Sequence, residues 1–193
     1  MSAEEFIEQL KGVLLPREKY IEFNRIKAYA EAHSMYNPLP RVLEPEVITP
    51  DPFIHLVTHY DMTHTFIGPV WFDLDDAMLL EDEINYHVAK YDGDFLCISK
   101  DSGEVLVYSS EDLTFKTHKY RCATDGASFL SALVELAAFV ENATFNTALL
   151  DNESVIETVA EHCAELAGGQ EYFEFYKISL TGELELPEDG DWD

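Results

Sequence analysis

The stretch "YDGDFLCISKDSGEVLVYSSEDL", Tyr91 to Leu113, decides how the chain is read. Phe95–Ser99 and Glu104–Ser109 are rich in strand-forming residues, and "KDSG" between them supplies a glycine for a positive-φ turn position. The pattern predicts a β-hairpin. On such a strand Val105 and Val107 face one side and Leu106 and Tyr108 the other, so both sides of the sheet are expected to be covered. The polar turn and the flanking Glu111 and Asp112 are expected at an edge, as an acidic rim.

Working outward, "DGASFLSALVELAAFVENA" predicts a helix capped by Asp125 or Ser128, with Phe129, Leu133, Leu136, Ala137 and Val140 on a wide apolar face. Residues 3–14 carry an amphipathic helical pattern. A second helix is expected after Pro16, through "REKYIEFNRIKAYAEAH". Five prolines between Pro38 and Pro52 rule out regular helix there and predict an extended connector. "FIHLVTHYDMTHTFIGPVWFDL" reads as strand-rich core, and "DDAMLLEDEINYHVAKY" as a short acidic helix or turn leading into a strand. A tail helix is expected from about Asn152 to Ala167, stopped by Gly168-Gly169, and then a terminal hairpin of "EYFEFYKIS" and "GELELP". Strands before helices, without a βαβ rhythm, predict an α+β fold: a mostly antiparallel sheet flanked by helices. The expected organisation is residues 1–142 as the α+β domain, including the N-terminal helices and connector. Residues 143–193 then form an acidic helix-plus-hairpin extension packed on the same domain.

Of 193 residues, 38 are Asp or Glu and 12 are Lys or Arg, a net charge of −26. A charge of that size disfavours phosphate backbones and anionic membranes and favours basic partners. Cys97, Cys122 and Cys163 have unrelated spacings, as expected of buried free thiols in a reducing compartment. "MSAEEFIEQLKGVLL" reads as neither a signal peptide nor a membrane span, and the expected location is cytoplasmic.

A polar "DGD" turn leading into "FLCISKDSGEVLVY" and then "CATDGASFLSALVEL" resembles the SUKH superfamily of bacterial immunity proteins and fungal cell-wall regulators. The matching positions are Asp92, Gly93, Asp94, Leu96, Gly103, Val105, Ala127, Ser128, Phe129 and Leu133, within roughly residues 84–140. The turn lacks the usual extra glycines, and "DGAS" intrudes before the helix. The resemblance implies an α+β fold, toxin neutralisation by direct binding, and no shared catalytic residues or cofactor.

Two chemical readings compete. His55, His59 and His64 lie within ten residues, with Asp61 between them. On a helix His55 and His59 share a face as metal ligands do; on a strand they lie roughly 13 Å apart, too far to chelate one ion. Strand is the expected state, with a metal-dependent hydrolase as the alternative. There is no GxSxG and no Cys beside a base in sequence, so nucleophilic catalysis has no motif.

The acids say more by position. No Lys or Arg occurs from Val42 to Ala89, while "DLDDAMLLEDE" holds Asp73, Asp75, Asp76, Glu81, Asp82 and Glu83. Glu153, Glu157, Glu161 and Glu165 recur every four residues along one side of the tail helix. Each cluster is either a solvated face or a docking surface for a basic protein. The expected function is a non-catalytic module that neutralises a basic toxin effector. The alternatives are the hydrolase and a regulatory interaction protein with no toxin partner.

Overall fold

The computed structural model describes residues 1–40, 50–63, 65–72, 80–111 and 114–181. The expected hairpin is present, as β5 (Asp94–Ser99) and β6 (Val105–Tyr108), and it lies inside a larger antiparallel sheet. The other strands are β1 (Phe66–Ile67), β2 (Val70–Trp71), β3 (Leu80–Glu81), β4 (Asn85–Tyr91) and β7 (His118–Ala123). Their order is β1-β2-β4-β5-β6-β7, with β3 pairing a further stretch of β4. The turn between β4 and β5 needs positive φ at two successive positions, supplied by Asp92 (φ 47) and Gly93 (φ 83). Beyond it the register slips at Val88, so that His87, not Val88, lies opposite Cys97. That bulge turns both Val88 and Ala89 toward the main core.

The two sides of the sheet differ. Leu96, Ile98, Val105, Val107 and Cys122 join the main core, together with Phe129, Leu130, Leu133 and Leu136 of α5 (Gly126–Phe145). Cys97, Leu106 and Tyr108 form a small second cluster on the opposite side, covered by Phe95 and Phe115. Val105 and Val107 thus part from Leu106 and Tyr108 as strand alternation requires. Helix α5 is long and apolar enough by composition to cross a membrane, but Phe129, Leu130, Leu133 and Leu136 are fully buried within the fold.

Helix α1 (Ala3–Val13) opens with a capping box between Ser2 and Glu5 and buries Phe6, Ile7 and Leu10. The expected second helix is two, α2 (Arg17–Glu22) and α3 (Ile26–Met35), because Asn24 takes φ 54 and breaks the run. The region around His55 is not strand: Pro52–His59 forms α4. Asp51 decides this, since its Oδ1 accepts the N–H groups of Phe53 and Ile54, and Pro52 occupies the first turn, where a proline is favoured. The other oxygen of Asp51 accepts Gly126 N–H at the start of α5, so one carboxylate serves two helix starts. A Cβ at Gly126 would collide with that carboxylate.

The tail helix appears as α6 (Glu153–Ala167), capped by Asn152 and stopped at Gly168, whose φ of 120 suits glycine. The stretch expected as the first strand of a terminal hairpin is instead α7 (Phe173–Thr181). Its alternation misled because aromatics lie on several sides: Phe175 and Tyr176 are both buried, one against Tyr91 and Phe129, the other donating its hydroxyl to Cys122 O. Residues 182–187, the second expected strand, lie outside the described residues. Residues of α6 and α7 belong to the same core cluster as α1, α4 and α5.

Candidate functional site

The expected acidic docking residues fall into three places. Asp73, Asp75, Asp76 and Asp112 lie outside the described residues, as does His64. Around β3, Glu81 pairs with Lys100 Nζ at 2.9 Å. Asp82 is occupied by the turn itself: Oδ1 accepts the N–H groups of Ile84 and Asn85, both at 2.7 Å, and Oδ2 lies 2.9 Å from His87 Nε2. Glu83 and Glu111 are exposed. Burial alone would raise the Asp82 carboxyl, but its bonds to His87 and to the two backbone N–H groups outweigh that and hold it below its usual value.

On α6 the stripe divides. Glu153, Glu161 and Glu165 are exposed, whereas Glu157 accepts a bond from Lys177 of α7 at 3.0 Å. At least seven of the twelve Lys and Arg side chains are engaged with acids of this chain, from Lys11–Glu8 to Lys177–Glu157.

The edge of β4 carries a second feature. β2 and β3 both pair with β4 there, and residues 73–79 join them in sequence. At its outer limit Phe66 and Trp71 pack edge to face, with ring centroids 6.1 Å apart, and both stay open to solvent (44% and 48%). An exposed tryptophan on β2 paired with a phenylalanine on the edge strand β1 is the residue chemistry of an interface anchor. Nothing in the hydropathy of "HTFIGPVWFDL" marked these two as the outward pair, because a buried strand reads the same way.

The histidine cluster is rearranged by α4. His55 and His59 stack with centroids 3.9 Å apart, His55 Nε2 lies 3.2 Å from Glu4 Oε1, and Asp61 accepts from Thr63 N–H. Among the described residues no group of three His, Cys, Asp or Glu side chains is placed to hold a metal ion.

No motif pairs a cysteine with a base in sequence, but one such pair forms in space. Cys97 Sγ lies 3.6 Å from His87 Nδ1, and the far side of that ring faces Asp82. With Asp82 accepting from Nε2–H, the neutral ring presents Nδ1 as an acceptor to the thiol. Burial pushes the thiol up to about 12, with the Asp82 charge adding to it. Cys163 is likewise pushed up to about 12 by burial, and burial also raises Cys122 well above its usual value.

The positions carrying the SUKH resemblance serve turns and packing. Asp94 Oδ1 accepts from Ser110 N–H and Oδ2 from Lys119 Nζ, while Leu96, Val105, Phe129 and Leu133 are core. No family model, no curated protein and no solved structure matches this chain.

Proposed function

We propose that this protein is a non-catalytic binding module whose β1–β2–β3 edge docks a basic partner protein, neutralising a toxin effector by direct contact. The observation that carries the reading is the exposed Phe66–Trp71 pair on an edge whose chain runs directly into Asp73, Asp75 and Asp76. An aromatic anchor supplies desolvated contact area, and a rim of like charge steers an oppositely charged partner and sets its orientation. Lys100 pairs with Glu81, so among the described residues the exposed acid next to β3 is Glu83. The SUKH resemblance supports the same reading at the level of fold and partner class, since immunity proteins of that type act by binding.

The test is affinity capture from the native host with the wild-type chain and Trp71→Ala, washed at low and high salt. A basic protein held by the wild type, released by salt and lost from Trp71→Ala supports the reading. So does suppression of that protein's activity by stoichiometric addition of this chain. Retention unchanged by both salt and Trp71→Ala rejects the edge as the docking surface.

A further inference from the structure

The sheet face away from the main core holds a group of side chains that neither the packing nor the proposed interface uses. Asp82, held by the N–H groups of Ile84 and Asn85, orients His87, and His87 Nδ1 meets Cys97 Sγ at 3.6 Å. This is the order thiol, imidazole, carboxylate, in which the base is itself oriented by a third group. Asn85, two residues before His87 and only 1% exposed, makes no close hydrogen bond through its side-chain Nδ2, which lies beside the Tyr108 hydroxyl. A buried amide donor left open is costly unless something accepts from it. The rest of the surround is apolar: Phe95 and Phe115 meet the His87 ring edge to face, at 5.5 and 5.0 Å, and Leu106 and Tyr108 pack with Cys97. Phe115 holds φ 49, a conformation bulky residues rarely adopt, with its ring lodged against His87, Phe95 and Tyr108.

We propose that Cys97, His87 and Asp82 form a thiol-modification site that takes small neutral electrophiles bearing a carbonyl group. The aromatic surround selects a neutral molecule, the strongly acidic chain disfavours an anion, and the open Asn85 donor matches a carbonyl oxygen. In the reaction the Cys97 Sγ–H proton passes to His87 Nδ1 as a sulfur lone pair forms the bond to the electrophilic carbon. With a haloacetamide the carbon–halogen bond breaks and halide leaves. The imidazolium is held by Asp82 until it returns its proton to solvent. His87 is the base, Asp82 a positioning residue, and Phe115 the cover. The site does not rest on the docking edge.

The three cysteines make the test internal, because all are fully buried. The folded full-length chain is treated with iodoacetamide, and the labelling rate at each cysteine is read by peptide mass spectrometry. Cys97 should react at least about a hundredfold faster than Cys122 and Cys163, the low end of what a positioned base contributes. His87→Phe should slow Cys97 by a similar factor and leave the other two unchanged. A variant that merely loosens the fold accelerates labelling, so slowing at Cys97 alone cannot come from lost stability. Asp82→Asn keeps an oxygen for the turn and should also slow Cys97, which covers the case in which His87→Phe does not fold. Phe115→Ala should speed Cys97 selectively, and Asn85→Leu should lower its rate. Equal labelling of the three thiols in the wild type, or an unchanged or faster Cys97 rate in both Asp82→Asn and a folded His87→Phe, overturns the site.

Discussion

The two faces of the sheet are built to different rules. On one, Leu96, Ile98, Val105 and Val107 belong to the same apolar core as Phe129, Leu130 and Leu133 of α5. On the other, Cys97, Leu106 and Tyr108 are roofed by two phenylalanines and share their space with an imidazole and an open amide. The inner face shares its core with the long helix α5, whereas the outer face is roofed by side chains and holds the imidazole. The inner face therefore carries the folding energy, and the outer face is where side-chain chemistry is free to vary.

Several substitutions would break or sharpen that contrast. Phe129→Ala, which empties the inner core between Phe53 and Phe175, should cost about 3–5 kcal/mol in urea unfolding. Leu106→Ala on the outer face should cost about 2 kcal/mol, the low end for a leucine, because its small cluster relaxes more easily. If Leu106→Ala matched Phe129→Ala, the two faces would be equal partners in stability and the contrast would fail.

Acid should act through the outer rim. Burial works against ionisation of Asp94, but its bonds to Ser110 and Lys119 prevail and hold its carboxyl below the usual value. Asp82 is depressed in the same sense. Groups with folded values below their unfolded ones stabilise fully above the unfolded carboxylate range, near ~4. That stabilisation is lost as pH falls through the depressed folded values. Unfolding free energy should therefore drop below about pH 4, and Asp94→Asn should make the drop shallower. A profile in which Asp94→Asn changes nothing would show that the Asp94–Lys119 link is only a surface pair.

The smallest effect separates two residues one turn apart on α6. Glu161→Lys places a cation between Glu157 and Glu165 and should stabilise by roughly 0.3–0.5 kcal/mol. Glu157→Lys gains similar pairs with Glu153 and Glu161 but loses the bond to Lys177 and faces that cation, so it should come out less stable than Glu161→Lys. Thermal unfolding of the two variants reads the order directly.

Much of the fold was legible in residues 91–140. The hairpin follows from strand-forming runs around a glycine turn, and α5 from an apolar face with Asp125 at its start, where its side chain accepts Ser128 N–H. Two helices were misread for physical reasons. α4 is short and apolar with β-branched residues, so periodicity could not separate it from a buried strand, and only Asp51 followed by Pro52 announced a helix start. α7 is aromatic on several sides and imitates strand alternation. The outer-face cluster was hidden more completely. A hairpin counted out from the Asp92–Gly93 turn puts Val88 opposite Cys97, and only the bulge brings His87 there. A one-residue slip cannot be seen in composition or spacing, yet it decides which side chain meets the thiol.

The shared carboxylate of Asp51 has a consequence for how this sequence can drift. A side chain at Gly126 would first strike Asp51, and Asp51 sits there because it serves the starts of α4 and α5 together. The two positions, 75 residues apart, are therefore epistatic. A residue larger than glycine at 126 is harmful while Asp51 is present and becomes sterically admissible once Asp51 is shortened. Shortening Asp51 first, however, uncaps α4 and strips Gly126 N–H of its acceptor at the start of α5. Any lineage leaving this arrangement crosses a less stable intermediate, so the pair is expected to persist or to change together.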